Sequence, residues 1–124
     1  MLMLFQVKMA ANLKKCTQLT GLAVAKNPHR VLTSYYNKIL RALENIPEGA
    51  AYRQHTAKLV EERLALVTVE SDVRKLEEKI NAGQVEELIL HAERELMLAR
   101  KMITWKPWEP LQTVPPSNQW KWPI

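Results

Sequence analysis

The sequence predicts an all-α fold: a small antiparallel helical bundle, three long helices plus a short one, with an irregular N-terminal segment and an extended Trp/Pro-rich C-terminal tail. Three observations carry this. Apolar residues recur at helical spacing over four stretches between residues 27 and 105, nothing alternates as a strand for more than a few residues, and proline and glycine fall at the edges of the stretches. At 124 residues, with 47% hydrophobic and 25% charged residues, the chain is one domain with tails. We divide it into a basic irregular segment (1–26), a helical bundle (27–105) and a docking tail (106–124).

The first helix opens at Asn27, an N-cap followed by Pro28 at the first helical position. Its apolar face is wide: Val31, Leu32, Tyr35, Tyr36, Ile39, Leu40 and Leu43, with Ile46 beyond. Pro47 and Gly49 end it. A second helix is expected from about residue 50 to 69, presenting Tyr52, Thr56, Leu59, Leu66 and Val67, a stripe made less clean by Thr56 and Arg63. Tyr35, Tyr36 and Tyr52 are expected to join these two helices, their hydroxyls at the surface. A short third helix restarts with Ser71 as cap and Val73, Leu76 and Ile80 at helical spacing, and Gly83 stops or bends it. The last, over 84–105, lines up Val85, Leu88, Ile89, Ala92, Leu96, Ala99 and Ile103, with Met97 and Met102 beside them. Its charges suit the macrodipole, Glu86 and Glu87 in the first turn and Arg100 and Lys101 toward the end.

Charge is uneven. The net +5 arises because residues 1–43 carry seven bases and no acid, whereas from Glu44 onward eleven bases face thirteen acids. A basic start suits nucleic acid, an anionic surface or organelle import. No cluster is denser than Lys14-Lys15 and no aromatic platform interleaves, which argues against nucleic acid. A basic helical adaptor binding nucleic acid or an anionic surface is the alternative reading. The apolar run of residues 1–5 is too short for a secretory signal, and no run reaches the length of a membrane span.

Chemistry is sparse. His29, His55 and His91 show no Glu-x-x-His pair as a bundle di-iron site requires, and Glu87, His91 and Glu95 share a polar face that reads as solvated charge. Cys16 is the lone cysteine, with no histidine nearby in sequence to activate it. Gly21, Gly49 and Gly83 are scattered, so no phosphate-cradling loop is present. We assign no catalytic, cofactor-binding or metal residues.

The tail is the unusual feature. "WKPWEPLQTVPPSNQWKWPI" holds all four tryptophans and five of the seven prolines. Proline fixes φ and donates no hydrogen bond, so this stretch cannot be a helix, and ordering it requires a surface to lie on. That surface is either the chain's own bundle or a partner, and tryptophan is a preferred anchor in the second case. Trp105, Trp108, Trp120, Trp122, Pro110 and Pro123 are the candidate partner-binding residues.

Seven stretches say more than their periodicity. "TGLAVAKNPH", "KILRALENIP", "AAYRQHT", "DVRKLEEKI", "GQVEELILHAERELMLARKM", "WKPWEPL" and "QWKWPI" closely resemble the alpha-subcomplex subunit 5 family of mitochondrial NADH:ubiquinone oxidoreductase, respiratory complex I. The resemblance runs from about Met9 to the end of the chain, and residues 1–8 lie outside it. It implies a small helical accessory subunit without cofactor or catalysis, on the matrix side of the mitochondrial inner membrane, supporting the assembly and stability of the hydrophilic arm. It also implies docking beside the core subunit iron-sulfur protein 3 and, near the membrane arm, approach to alpha subcomplex subunit 10. Import without a long cleaved presequence is a further implication, and it suits the acid-free start.

Overall fold

The computed structural model describes residues 15–123, and among these there are four helices and no strand. Helix α1 spans Pro28–Leu43, α2 Ala51–Val69, α3 Val73–Ile80 and α4 Val85–Trp105. The expected boundaries differ from these by a residue or two, the usual uncertainty of frayed ends.

Local chemistry sets where each helix begins. The Asn27 side chain accepts the Arg30 N–H at 3.4 Å, with Pro28 in the first turn. At α3 the cap is Asp72 rather than Ser71. The Glu70 carboxylate takes the Asp72 N–H at 3.2 Å and holds that residue extended, so the helix starts one residue later and Asp72 accepts the Arg74 N–H at 3.0 Å. For α4 the caps are acids: Glu87 accepts the Gln84 N–H and Glu77, from α3, accepts the Val85 N–H, each at 3.0 Å. Gly83, at φ +98°, lets the chain turn into this arrangement, and an added Cβ there would collide with the Glu87 carboxylate.

α1 is the inner helix, packing against α4 on one side and α2 on the other. It supplies Leu32, Tyr36, Ile39 and Leu43 to one core, completed by Val60, Val67, Leu76, Val85, Leu88, Ala92, Leu96 and Ala99, with Ile46 buried just past the helix. α1 and α2 are antiparallel: the His29 Nε2 at the start of α1 donates to the Glu70 carbonyl beyond the end of α2 at 2.8 Å. At the other end Arg53 Nη1 donates to the Ile46 carbonyl at 2.6 Å. α1 and α4 run the same way, because the two-turn α3 carries the chain across rather than back. Their starts meet through Ala25 and Glu86, and their ends share a groove lined from Lys38 to Asn45 and by Arg100 and Ile103.

Two side-chain expectations fail. On α2 the buried stripe is Thr56, Val60 and Val67, flanked by Ala57 and Leu64, while Leu59 is 45% exposed. Thr56 and Val67 are buried and Tyr52 and Leu66 pack against the core as expected, so the inner face is the expected one shifted toward Val60, and Leu59 alone is left outside it. Arg63 falls on that stripe half-buried, since the guanidinium faces Tyr36. The tyrosine hydroxyls are the second case. Tyr36 Oη is buried without a well-formed hydrogen bond; burial raises its pKa above the phenolic 10.0, and the Arg63 charge opposes the rise. Tyr52 Oη donates to Glu95 Oε1 at 2.7 Å, bridging α2 to α4 rather than α2 to α1. Its pKa is raised, first by burial and then by the Glu95 carboxylate.

The irregular segment 15–26 is fastened to the start of α4. Thr17, itself buried, donates to the Leu22 carbonyl at 2.6 Å and closes a turn. Gln84 Nε2 then donates to the Thr17 carbonyl at 2.8 Å, and the buried carboxylate of Glu86 accepts the Ala25 N–H at 3.4 Å. Sequence reasoning placed Glu86 at the helix start for its charge alone; its burial lets it serve the backbone of a segment about sixty residues away in sequence.

Candidate docking surface

The tail leaves α4 through Lys106, whose left-handed backbone (φ 52°) ends the helix while its N–H still bonds to the Met102 carbonyl at 3.0 Å. Pro107 then sits at the second position of a turn closed by Glu109 N–H to Lys106 O at 3.1 Å, a position that favours proline. A second pair of turns, Gln119 to Pro116 and Lys121 to Asn118, precedes the end. Between them residues 110–115 carry no helix, as the prolines require.

The six candidate residues do not converge. Trp108 folds back, half-buried against the core. Trp105 is 60% exposed with the Lys101 ammonium 5.8 Å from its ring centroid, a cation–π arrangement. Trp120 and Trp122 are each 90% exposed, Pro110 and Pro123 are exposed, and Leu111 and Val114 between them are exposed as well. Of the two surfaces weighed for the tail, the chain's own bundle covers Trp108 and leaves the rest open. Apolar area of this extent on one segment is what a partner interface presents.

Nothing metal-like accompanies it: among the described residues no three of His, Cys, Asp or Glu are grouped to hold an ion. His91 is exposed, Glu87 is used in capping α4 and Glu95 in holding Tyr52. Cys16 is a free, exposed thiol. No helix of the described residues is long and apolar enough to cross a membrane. One feature was missed from sequence. Lys38 and Arg41 of α1 and Arg100 of α4, which read singly as solvated or dipole-matching bases, converge on the groove between the two helix ends. The only signal for it is that α1 and α4 are parallel, which no local pattern states.

Comparison with known proteins gives the same direction throughout. The family model described as "ETC complex I subunit conserved region" matches residues 21–87. The Bos taurus protein named NADH dehydrogenase (ubiquinone) 1 alpha subcomplex subunit 5 is 58% identical over 116 residues, covering 94% of this chain and 100% of the bovine one. A Caenorhabditis elegans protein named as probable subunit 5 is 54% identical over 90% of this chain and 74% of its own length. An Arabidopsis thaliana relative, named as probable subunit 5 and mitochondrial, is 39% identical over 79% of this chain and 58% of its own length. With a family model spanning more than half of it and a bovine relative matched nearly end to end, the chain belongs to the NADH dehydrogenase (ubiquinone) 1 alpha subcomplex subunit 5 family.

Proposed function

We propose that this chain is a non-catalytic accessory subunit of mitochondrial respiratory complex I. It sits on the matrix-facing hydrophilic arm, at the inner membrane through the complex rather than by a span of its own, and supports the arm's assembly and stability while electrons pass from NADH to ubiquinone. The near end-to-end match to subunit 5 of Bos taurus is the observation that carries the reading. The exposed indoles support it physically: Trp120 and Trp122 are not packed against the core of their own bundle, and burying such rings against a partner is strongly favourable. Partners in this reading are the core subunit iron-sulfur protein 3 and other hydrophilic-arm subunits, with an approach to alpha subcomplex subunit 10, as the family resemblance implies.

The test is capture of the tagged chain from detergent-solubilised mitochondria, with mass spectrometry of what accompanies it. Hydrophilic-arm subunits, iron-sulfur protein 3 among them, are the expected result. A chain recovered without any complex I subunit would overturn the proposal. The tail's part is read by Trp120→Ala with Trp122→Ala on native gels, where undiminished co-migration with the complex would remove those rings from the interface.

A further inference from the structure

At the end of the bundle where α1 and α4 both finish, Lys38, Arg41 and Arg100 line a groove of about 370 Å³ whose wall is completed by Ala42, Asn45 and Ile103. Lys38 and Arg41 lie one turn apart on α1, and Arg100 faces them from α4. All three are exposed. None of the three side chains forms an ion pair or hydrogen bond with another described residue, and the Lys38 ammonium lies over the ring of Tyr35, 5.8 Å from its centroid. The helix macrodipole accounts for a base in the last turn, where Arg41 sits. It does not account for Lys38 or Arg100, which lie more than a turn before their helices end.

We propose that this groove docks an acidic segment of a neighbouring subunit, with two carboxylates seated between the guanidinium groups of Arg41 and Arg100 and the ammonium of Lys38. The inference rests on the reading of the chain as a subunit of a larger complex, and it adds the surface and the chemistry. Guanidinium forks bind carboxylates in a bidentate manner, and the apolar side chains of Ala42 and Ile103 remove water from one side of those contacts. The positive charge is bounded on the α1 side, where Glu44 and Glu48 follow Arg41 in the chain, and on α4 the neighbouring Lys101 is turned to the Trp105 ring. A bilayer or a polyphosphate backbone needs a broad basic plane, whereas a short acidic segment needs only the groove. The surface is also continuous with the tail, since Ile103 of the groove is followed two residues later by the exposed Trp105.

The experiment places the photo-crosslinker p-benzoylphenylalanine at Asn45 of the full chain, in cells lacking the unmodified copy, and irradiates the intact complex. A crosslinked peptide from another subunit carrying at least two Asp or Glu residues is expected. In parallel, Arg41→Ala with Arg100→Ala is expected to leave the melting curve of the chain unchanged while the chain leaves the complex at least about tenfold faster. A crosslink to lipid or to a peptide without acids overturns the groove proposal. So does a chain that co-migrates with the complex but yields no crosslink, or a double variant that dissociates at the original rate. A chain that never co-migrates is a different result, because it overturns the accessory-subunit reading itself.

Discussion

The helical unit and the tail of this chain both contain large apolar side chains, and they treat them in opposite ways. Leu32, Ile39, Leu76 and Leu88 are sealed from water by one another, whereas Trp120 and Trp122 stay almost entirely in it. The helices satisfy their own backbone groups and hide one face, so their apolar surface is used within the chain. The tail, broken by five prolines after Trp105, can form neither a helix nor a sheet ladder and has no second layer to close over it. Side chains that serve folding are therefore separable from those proposed here to serve attachment.

That separation can be broken by substitution, and the largest effect on folding belongs to the core. Leu32→Ala or Leu88→Ala should cost about 2–5 kcal/mol of stability, read from urea or thermal unfolding, because each leaves a cavity among residues that cannot collapse into it. Gly83→Ala should cost roughly 1–3 kcal/mol, since alanine is strained at φ +98° and its Cβ displaces the carboxylate that caps α4. The loss should appear as earlier fraying of α4 by hydrogen exchange at residues 84–88.

Tyr52→Phe removes the link from α2 to Glu95 and should cost about 0.5–1.5 kcal/mol near neutral pH. Its pH dependence has a definite sign. The folded-state phenol titrates above its usual 10.0, so its contribution is full below pH 10 and is lost as pH rises through the folded value. The variant's stability should thus fall less steeply than the parent's above pH 10. Glu70 gives the opposite and smaller case. The Lys79 hydrogen bond, helped by the Asp72 N–H, holds its carboxyl below the ordinary 4.5. Its contribution is present above that value and disappears as pH falls through the folded one, so Lys79→Met should flatten the acid limb of a stability curve.

Smallest of all on folding should be Trp120→Ala with Trp122→Ala, within about 0.5 kcal/mol, because both rings are almost fully exposed. The same variant should be impaired in joining the complex. A tail substitution that lowered the melting temperature as far as Leu32→Ala does would erase the distinction between the two regions.

α1 and α4 were legible because their periodicity points at the residues that are buried, and Asn27-Pro28 names the start of α1. α3 stops earlier than Gly83 suggests, at Asn81, whose left-handed backbone caps the helix while its N–H bonds to the Glu77 carbonyl. α2 was harder, since Thr56 and Arg63 sit on its buried stripe, and polar residues there make Leu59 look as good a core position as Val60. What Arg63 does depends on Tyr36, a residue of another helix. The same limit hid Glu86, whose backbone partner Ala25 is remote in sequence, and the basic groove, whose members come from the two ends of parallel helices. The tail's composition called for a surface to lie on and left open whether that was the chain's own bundle or a partner; Trp105, Trp120 and Trp122 are exposed, and that Trp108 turns inward follows from the tight turn at 106–109, which composition does not specify.

The parallel pairing of α1 with α4 has a consequence for the order in which the chain is built. A polypeptide made from its N-terminus has Leu32, Tyr36 and Ile39 in hand long before Leu88, Ala92 and Leu96 are synthesised to cover them, and the turn at Thr17 waits just as long for Gln84. Closing such distant pairings is slow compared with forming a hairpin. Half of the nascent molecule is therefore sticky until nearly its last helix emerges, the interval in which a chaperone would find most to hold.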